Sequence, residues 1–175
     1  MKPTRGAVLA LAAGLLMGVP ALAKSEAPMM PMSTMRSADA MFVRKAAQGG
    51  LAEVMAGGLA QQRGASSAVR MFGARMVRDH GRANRELMQL ADASNMRVPK
   101  MTDAMHRMLM MKMQSLHGAA FDAAYARAQI DDHNATIALF QQEASSGRNA
   151  QLRSFAQRTL PTLQRHLAMA QMLRR

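Results

Sequence analysis

From Asp39 to the end of the chain, β-branched residues are sparse, and Ala, Met, Leu, Gln and Arg dominate. These residues have high intrinsic helix propensity. An average globular domain mixes helix formers with strand formers, and this chain does not. We therefore expect an all-α fold.

Cap and breaker residues divide this part of the chain into five helical segments. The Ser66-Ser67 pair is a start signal, and Pro99 in "NMRVPK" is a stop signal because proline cannot continue a helix. Gly147 is typical of a helix C-cap, and Pro161 is expected to kink the last segment. The segments run from about 39 to 63, from the Ser66-Ser67 cap to 94, from 102 to 118, from 119 to 145 and from 149 to 173.

Four of these segments are long and one is short. This pattern favours a four-helix bundle in which the short segment is a crossover helix between the second and third long helices. The alternative is a plain five-helix array. We assign residues 38–175 to this helical domain.

The N-terminal residues indicate export. Lys2 and Arg5 precede an uncharged run from Ala7 to Val19, and the small-x-small pattern 21–23 follows it. We interpret residues 1–23 as a signal peptide cut after Ala23, and the alternative is an uncleaved anchor. Residues 24–37, rich in Pro, Met and Ser, are predicted to be a disordered leader. The expected location is the periplasm or the exterior.

The chain contains no cysteine, and its formal net charge is +12. The first fact excludes disulfides and thiolate metal sites. A strongly basic surface could contact an anionic membrane or polymer, or it could be a solvated Arg-rich face. Nucleic acid is not an expected partner of an exported protein with one Tyr and no Trp to stack on bases. The oligomeric state is not predicted.

Ionisable side chains fall on the apolar faces of all four long segments. A helix advances about 100° per residue, so each face can be drawn from sequence. The core-facing set is Glu53, His80, Asp132, His133 and His166. Each of these residues lies near the middle of its helix, so antiparallel packing would bring them to one layer.

Buried charges require partners, and two kinds of partner fit this set. Three His with one or two carboxylates would bind one divalent ion, Zn, Fe, Mn or Cu. Alternatively, the side chains would form a buried polar network that fixes the helix register. Asp79, next to His80, is placed on the flank of its helix, and Glu53 is the one Glu that is expected to face the core.

The stretch "MHRMLMMKMQSLH", residues 105–117, has two faces. One holds Met101, Met105, Met108, Leu109 and Leu116, which we expect to pack onto the bundle. The other holds His106, Met110, Met113 and His117, a possible accessory copper site of thioethers and imidazoles. The alternative is a Met-rich surface that binds nothing.

No phosphate-binding loop or nucleophile elbow is present. Asp79 and His80 are adjacent on a helix and diverge by about 100°, so they cannot form an acid–base dyad with each other. No catalytic residue is predicted, and the sequence favours a protein without enzymatic activity while leaving that question open.

Four motifs resemble a family of secreted bacterial proteins, domain of unknown function 4142 (DUF4142), which is grouped with the ferritin-like superfamily. They are "GLAEVMAGGLA" at 50–60, "MVRDH" at 76–80, "FDAAYARAQIDDH" at 121–133 and "LPTLQRHL" at 160–167. The resemblance spans about 39 to 173 and implies an exported ferritin-like bundle with no settled activity. The Glu-x-x-His motif of di-iron members is absent, which favours a mononuclear or degenerate site.

Three functional hypotheses follow. The first is a periplasmic ferritin-like protein that binds a metal ion through its core-facing His, Glu and Asp residues. The second is a non-catalytic envelope or stress-related bundle with a basic surface. The third is a metal-dependent oxidase or peroxide-handling enzyme.

Overall fold

The computed structural model describes residues 32–174, and in this range the secondary structure consists of five helices with no strand, as the residue usage predicts. None of these helices is long and apolar enough to cross a membrane. The predicted signal peptide, its cut after Ala23 and the leader up to residue 31 lie outside the described residues. The helices are α1 (Met32–Arg63), α2 (Ser67–Ala93), α3 (Ala104–Gln114), α4 (Gly118–Ser146) and α5 (Ala150–Leu173).

The helix boundaries follow the cap signals, with two differences. α1 begins at Met32 and not near Asp39, so the end of the predicted leader is helical. Pro31 is the last helix breaker before this point, and the residues after it can all join a helix. α3 ends at Gln114, before Gly118, whose backbone has φ +59°. α5 continues as one helix through Pro161.

The four long helices enclose one core, and each packs antiparallel to its two neighbours. α1 lies against α2, where a side chain on Gly57 would meet the Gly73 carbonyl at 2.6 Å. α4 packs against α5 as the second hairpin. The two hairpins contact each other through α1 with α4 and through α2 with α5. The connector that carries α3 returns along the outside of α1 and α4, where the Thr102 hydroxyl donates to the Gln48 carbonyl (2.9 Å). As a result, α2 and α4 run in the same direction.

The core consists of two apolar clusters with a polar layer between them. One cluster surrounds Tyr125 and includes Phe72, Met76 and Phe121. The other surrounds Phe140 and includes Phe42, Leu87 and Phe155. Between them along the helices lie the buried polar residues Glu53, His80, Gln129, His133 and His166. The fold therefore places this polar layer at mid-height, between two apolar clusters.

The two helical hairpins cap each other reciprocally. Asp39, on α1, accepts hydrogen bonds from the backbone amides of Arg148 and Asn149 in the α4–α5 loop (2.9 Å each). Asp122, on α4, accepts from the amides of Ala65 and Ser66 in the α1–α2 loop (2.9 and 2.8 Å). Each of these two carboxylates thus fixes the loop of the opposite hairpin.

The structure bears out only part of the face of α3 that was predicted to pack, since Leu109 and Leu116 contact the Tyr125 cluster. Met101, Met105 and Met108 are 71%, 72% and 65% exposed, so the prediction that they pack onto the bundle is wrong. Met110 and Met113 point inward and join the Tyr125 cluster. Both faces of α3 carry apolar side chains, so hydrophobicity alone does not decide which face packs on the bundle. The contacts of His106 with Asp103 and Asp132 favour the observed rotation.

Candidate metal centre

Three histidines from three helices meet in the polar layer. His80 comes from α2, His133 from α4 and His166 from α5, and their exposed fractions are 8%, 1% and 2%. Their ring centroids are 5.5 Å apart in every pair. One ring nitrogen from each lies within 4.8 Å of the others. We call this group the His triad.

Hydrogen bonds orient two rings of the His triad. Nδ1 of His133 donates to the Gln129 carbonyl one helical turn earlier (2.9 Å). Nε2 of His166 donates to Asp79 Oδ2 (3.0 Å). In each of these two rings, one nitrogen donates its hydrogen to the protein, and the other nitrogen is left without a hydrogen bond in the part of the chain that the structure describes. This arrangement, in which a carbonyl or carboxylate fixes the imidazole tautomer, is typical of metal-binding histidines.

Each ring of the His triad retains one buried nitrogen without a hydrogen-bond partner among the described residues. These atoms are Nε2 of His80, Nε2 of His133 and Nδ1 of His166. In native proteins most buried polar atoms have partners, so an unpaired group requires an explanation such as an ion or water. Three such atoms in one layer are a donor set suited to a cation.

Burial keeps these imidazoles neutral. It lowers the pKa of His80 to about 3, with further lowering by the neighbouring His133 and His166 rings. Burial also lowers the pKa of His133 to about 4. The pKa of His166 is lowered by burial as well, although the hydrogen bond to Asp79 opposes the shift. Neutral imidazoles carry the free lone pairs that metal coordination requires.

The spacing of the His triad suits a single small ion. Zn–N distances of about 2.0–2.1 Å place the nitrogens of a tetrahedral site about 3.3 Å apart, so the rings would approach each other by at most about 1.5 Å. A cavity of about 30 Å³ is lined by His80 and His166 and by residues of all four long helices. It has room for about one water molecule, which could occupy a fourth ligand position.

Glu53 lies next to the His triad but does not point its carboxylate at the free nitrogens. Its Oε2 accepts from the Gln129 amide (2.7 Å), and its Oε1 lies 3.5 Å from Nδ1 of His133, the nitrogen already bonded to a carbonyl. Burial raises the pKa of Glu53 to about 8, and the Gln129 hydrogen bond opposes this shift. Glu53 is thus a neutral neighbour of the site at pH 7.

Asp132 does not join the His triad. Its side chain is 28% exposed, and its Oδ1 lies 3.7 Å from Nε2 of His106. Adjacent helix residues point about 100° apart, so His133 can face the core only if Asp132 faces outward toward α3. The other nitrogen of His106 contacts Asp103 (2.8 Å).

The predicted copper stripe is divided by the fold. Met110 and Met113 are buried in the Tyr125 cluster, and both nitrogens of His106 face carboxylates. His117 is exposed at the start of α4, where Arg63 contacts its ring (3.2 Å). Both imidazoles of the stripe therefore have other partners, and copper binding by it stays a prediction.

The structure adds residues that sequence reasoning did not assign to the site. Asp79 was placed on a helix flank, yet it bonds His166 and its side chain is only 11% exposed. Glu143 is also buried (4% exposed), so Glu53 is not the one Glu that faces the core. The sequence signal for Asp79 was its position next to His80 in the motif "MVRDH". Glu143 lies near the end of α4, where the buried face of a helix is hard to assign from sequence.

The fold and the site together define a class of protein: an all-helical chain whose long helices bury a cluster of three histidines. A sequence family described as a domain of unknown function (DUF4142) matches residues 23–173. This match covers most of the chain, and the protein therefore belongs to this family, as the motifs indicate. No curated protein and no solved structure matches the chain.

Proposed function

We propose that the protein binds one divalent transition-metal ion through His80, His133 and His166. The observation that carries this proposal is the convergence of three buried, neutral imidazoles, each with a nitrogen that lacks a partner among the described residues. A purely structural polar network would be expected to use those nitrogens in hydrogen bonds within the protein.

The donor set narrows the choice of ion. Imidazole suits Zn, Cu and Fe, whereas Mn prefers carboxylate and water oxygens. The nearest carboxyl group, that of Glu53, is protonated at neutral pH and bonded to Gln129. We therefore favour Zn(II) or Cu(II) over Mn(II) and Fe(II).

We infer that the chain has a ferritin-like topology but not the ferritin chemistry. Two antiparallel hairpins joined by a long crossover, with α2 and α4 parallel, support this class of four-helix bundle. A di-iron site needs carboxylates from several helices around the metals. Here three His occupy that layer, and the residues do not fit a carboxylate-bridged pair of irons.

The signal-like residues 1–23 support a periplasmic or secreted location for this function. In that compartment the protein would hold or buffer the ion. Redox turnover is not part of the proposal.

Calorimetric titration of tag-free, metal-free protein with Zn(II) and with Cu(II) tests the proposal. The expected result is one ion per chain, with affinity at least tenfold weaker in His80→Asn, His133→Asn or His166→Asn. In the Zn(II) titration, the exposed His117→Asn variant is the matched control and should bind like wild type. Wild-type protein that binds no ion, or triad variants that bind like wild type, would contradict the proposal.

A second candidate function concerns the outer face of α2. Five arginines are exposed along this one helix: Arg70, Arg75, Arg78, Arg82 and Arg85. Such a stripe could hold an anionic lipid or polymer surface. Sedimentation with phosphatidylglycerol-containing vesicles should show binding at low salt that disappears at about 0.5 M salt. No binding at low salt would rule this candidate out.

A further inference from the structure

A solvent-filled cleft lies between α1, α3 and α4, on the side of the molecule where the crossover helix packs. Its volume is about 570 Å³. Its inner wall includes Gly49, Glu53, Asp132 and Thr136, and its outer wall includes His106. The exposed Arg44 and Lys45 stand at the rim.

The cleft and the inner cavity share part of their walls. Gly49, Glu53 and Thr136 line both the cleft and the small cavity beside the His triad. These three residues therefore lie between the cleft on the α3 side and the cavity that His80 and His166 line.

Gly49 keeps this layer thin. A Cβ atom at this position would meet no described atom within 4 Å, so the space beside the glycine is open. Gly50, one residue later, has the opposite surroundings, since a Cβ there would collide with the Asn84 side chain. The opening at Gly49 is therefore not a requirement of helix packing.

Oxygen ligands follow one another from the cleft toward the triad. Asp103 and Asp132 flank His106 in the cleft, and Glu53 comes next. Glu53 in turn lies 3.5 Å from His133. Carboxylate oxygens can replace water around a divalent ion one at a time, and the neutral Glu53 would release its proton as it takes the ion.

We propose that this cleft is the route by which a divalent ion reaches the His triad, passing Asp132 and Glu53 through the opening at Gly49. The inference rests on the proposed function and adds the path of the ion to it. It also assigns a role to Asp132 and Glu53, the two acidic side chains that do not face the free imidazole nitrogens.

Gly49→Phe tests the route, with Gly58→Phe as the matched control. Both glycines are partly exposed on α1, and a Cβ on either meets no described atom within 4 Å, but Gly58 does not line the cleft. Stopped-flow mixing with Zn(II) and a chelating dye gives the association and dissociation rates. In Gly49→Phe both rates should fall at least tenfold while the dissociation constant stays unchanged, because a barrier slows both directions equally. Gly58→Phe should match wild type.

Unchanged rates in Gly49→Phe, or equal slowing in both variants, would overturn the route. Failure of the proposed function is a different outcome, namely no Zn(II) binding by wild type at equilibrium. In that case the route is tested on metal-free protein by NMR, through the exchange of the His133 and His166 ring N–H protons with water. Slower exchange in Gly49→Phe than in Gly58→Phe supports access through the cleft, and equal exchange contradicts it.

Discussion

Asp79 fixes the tautomer of His166, and this single contact decides which imidazole nitrogen is free. Burial alone would raise the pKa of Asp79, but the His166 hydrogen bond and the neighbouring Arg78 lower it, so the carboxylate is charged. Asp79→Asn removes that charge, and we expect metal affinity to fall about tenfold, as is usual for partners of metal-binding histidines. Asp92→Asn, an exposed change on the same helix, should have no effect in the same calorimetric titration. Equal affinity in both variants would show that Asp79 does not position His166.

Glu143 is a buried acid whose protonated form the fold favours. Burial, together with the nearby Asp39 carboxylate, raises its pKa to about 7, and Arg153 opposes the shift. Its unfolded pKa is near 4.5, so the native state binds more protons between these values and stability falls as pH rises from 5 to 8. We expect Glu143→Gln to remove this loss and to be more stable than wild type at pH 8 by on the order of 2 kcal/mol.

Urea unfolding at pH 5 and pH 8 measures the effect of Glu143→Gln. The exposed pair of Glu86 and Arg158 supplies the control, because Glu86→Gln should change stability little and equally at both pH values. A Glu143→Gln difference that does not grow with pH would contradict the proposed protonation.

The sequence was sufficient to predict that His80, His133 and His166 face the core, but not that Asp79 orients His166. His80 lies at the centre of the apolar stripe of α2, whereas His133 shares a broad face of α4 with Asp132. Asp79 and Asp132 each neighbour one of these histidines and lie about 100° away from it. Whether such a flanking residue contacts the core or the outside depends on how the next helix sits, and the stripe of its own helix does not contain that information.

At the scale of the helices, the packing face of α3 also could not be predicted from the sequence of the helix alone. It carries two methionine-rich faces, and side-chain hydrophobicity gives almost equal weight to both. The polar contacts decide between them, since His106 is held by Asp103 on its own helix and by Asp132 on α4. Those contacts turn Met110 and Met113 into the core and leave Met105 in solvent.

The His106 contact should stabilise the docking of α3 in a pH-dependent way. The carboxylates of Asp132, 3.7 Å from Nε2, and of Asp103, 2.8 Å from Nδ1, raise the pKa of His106 to about 9 against the effect of burial. A raised histidine pKa stabilises the fold fully below the unfolded value of 6.5 and loses this effect as pH rises through 9. His106→Ala should therefore cost about 1–2 kcal/mol at pH 6 and much less at pH 10.

Hydrogen exchange of the α3 backbone amides at pH 6, together with urea unfolding at both pH values, checks the His106 prediction. Exchange should rise in α3 before it rises in α2 or α5. His117→Ala is the control, since that side chain is exposed at the start of α4. A cost of His106→Ala that is the same at both pH values would mean that packing, and not the charged imidazole, holds α3.

At the scale of the whole molecule, composition and caps were enough to predict the helices and their order. They did not predict that the two hairpins are built alike. "DAMFVR" at 39–44 corresponds to "DAAYAR" at 122–127, and "RMFGAR" at 70–75 corresponds to "RSFAQR" at 153–158, at the same spacing along the chain. The equivalence is visible once Asp39 and Asp122 are seen to cap opposite loops, and Arg70 and Arg153 to donate to the carbonyls of their own loops.

This equivalence predicts how the molecule should respond to loss of its caps. Asp39 and Asp122 each accept hydrogen bonds from two loop N–H groups that have no partner within a helix. Replacing either residue by Ala should therefore lower the free energy of unfolding by about 1–3 kcal/mol. Asp39 is 3% exposed and Asp122 is partly exposed, so Asp39→Ala should be the more costly change. Urea unfolding of the single variants measures both costs.

The double variant then asks whether the two hairpins are independent or coupled. The caps lie at opposite ends of α1, more than about 30 Å apart at 1.5 Å per residue, and they share no contact. Costs at such distances usually add to within about 0.5 kcal/mol. Asp39→Ala with Asp122→Ala should therefore lose the sum of the single costs with an unchanged dependence on urea. A smaller loss, or a weaker urea dependence, would mean that one hairpin already separates from the other when its partner's cap is missing, and that the His triad depends on both caps to stay assembled.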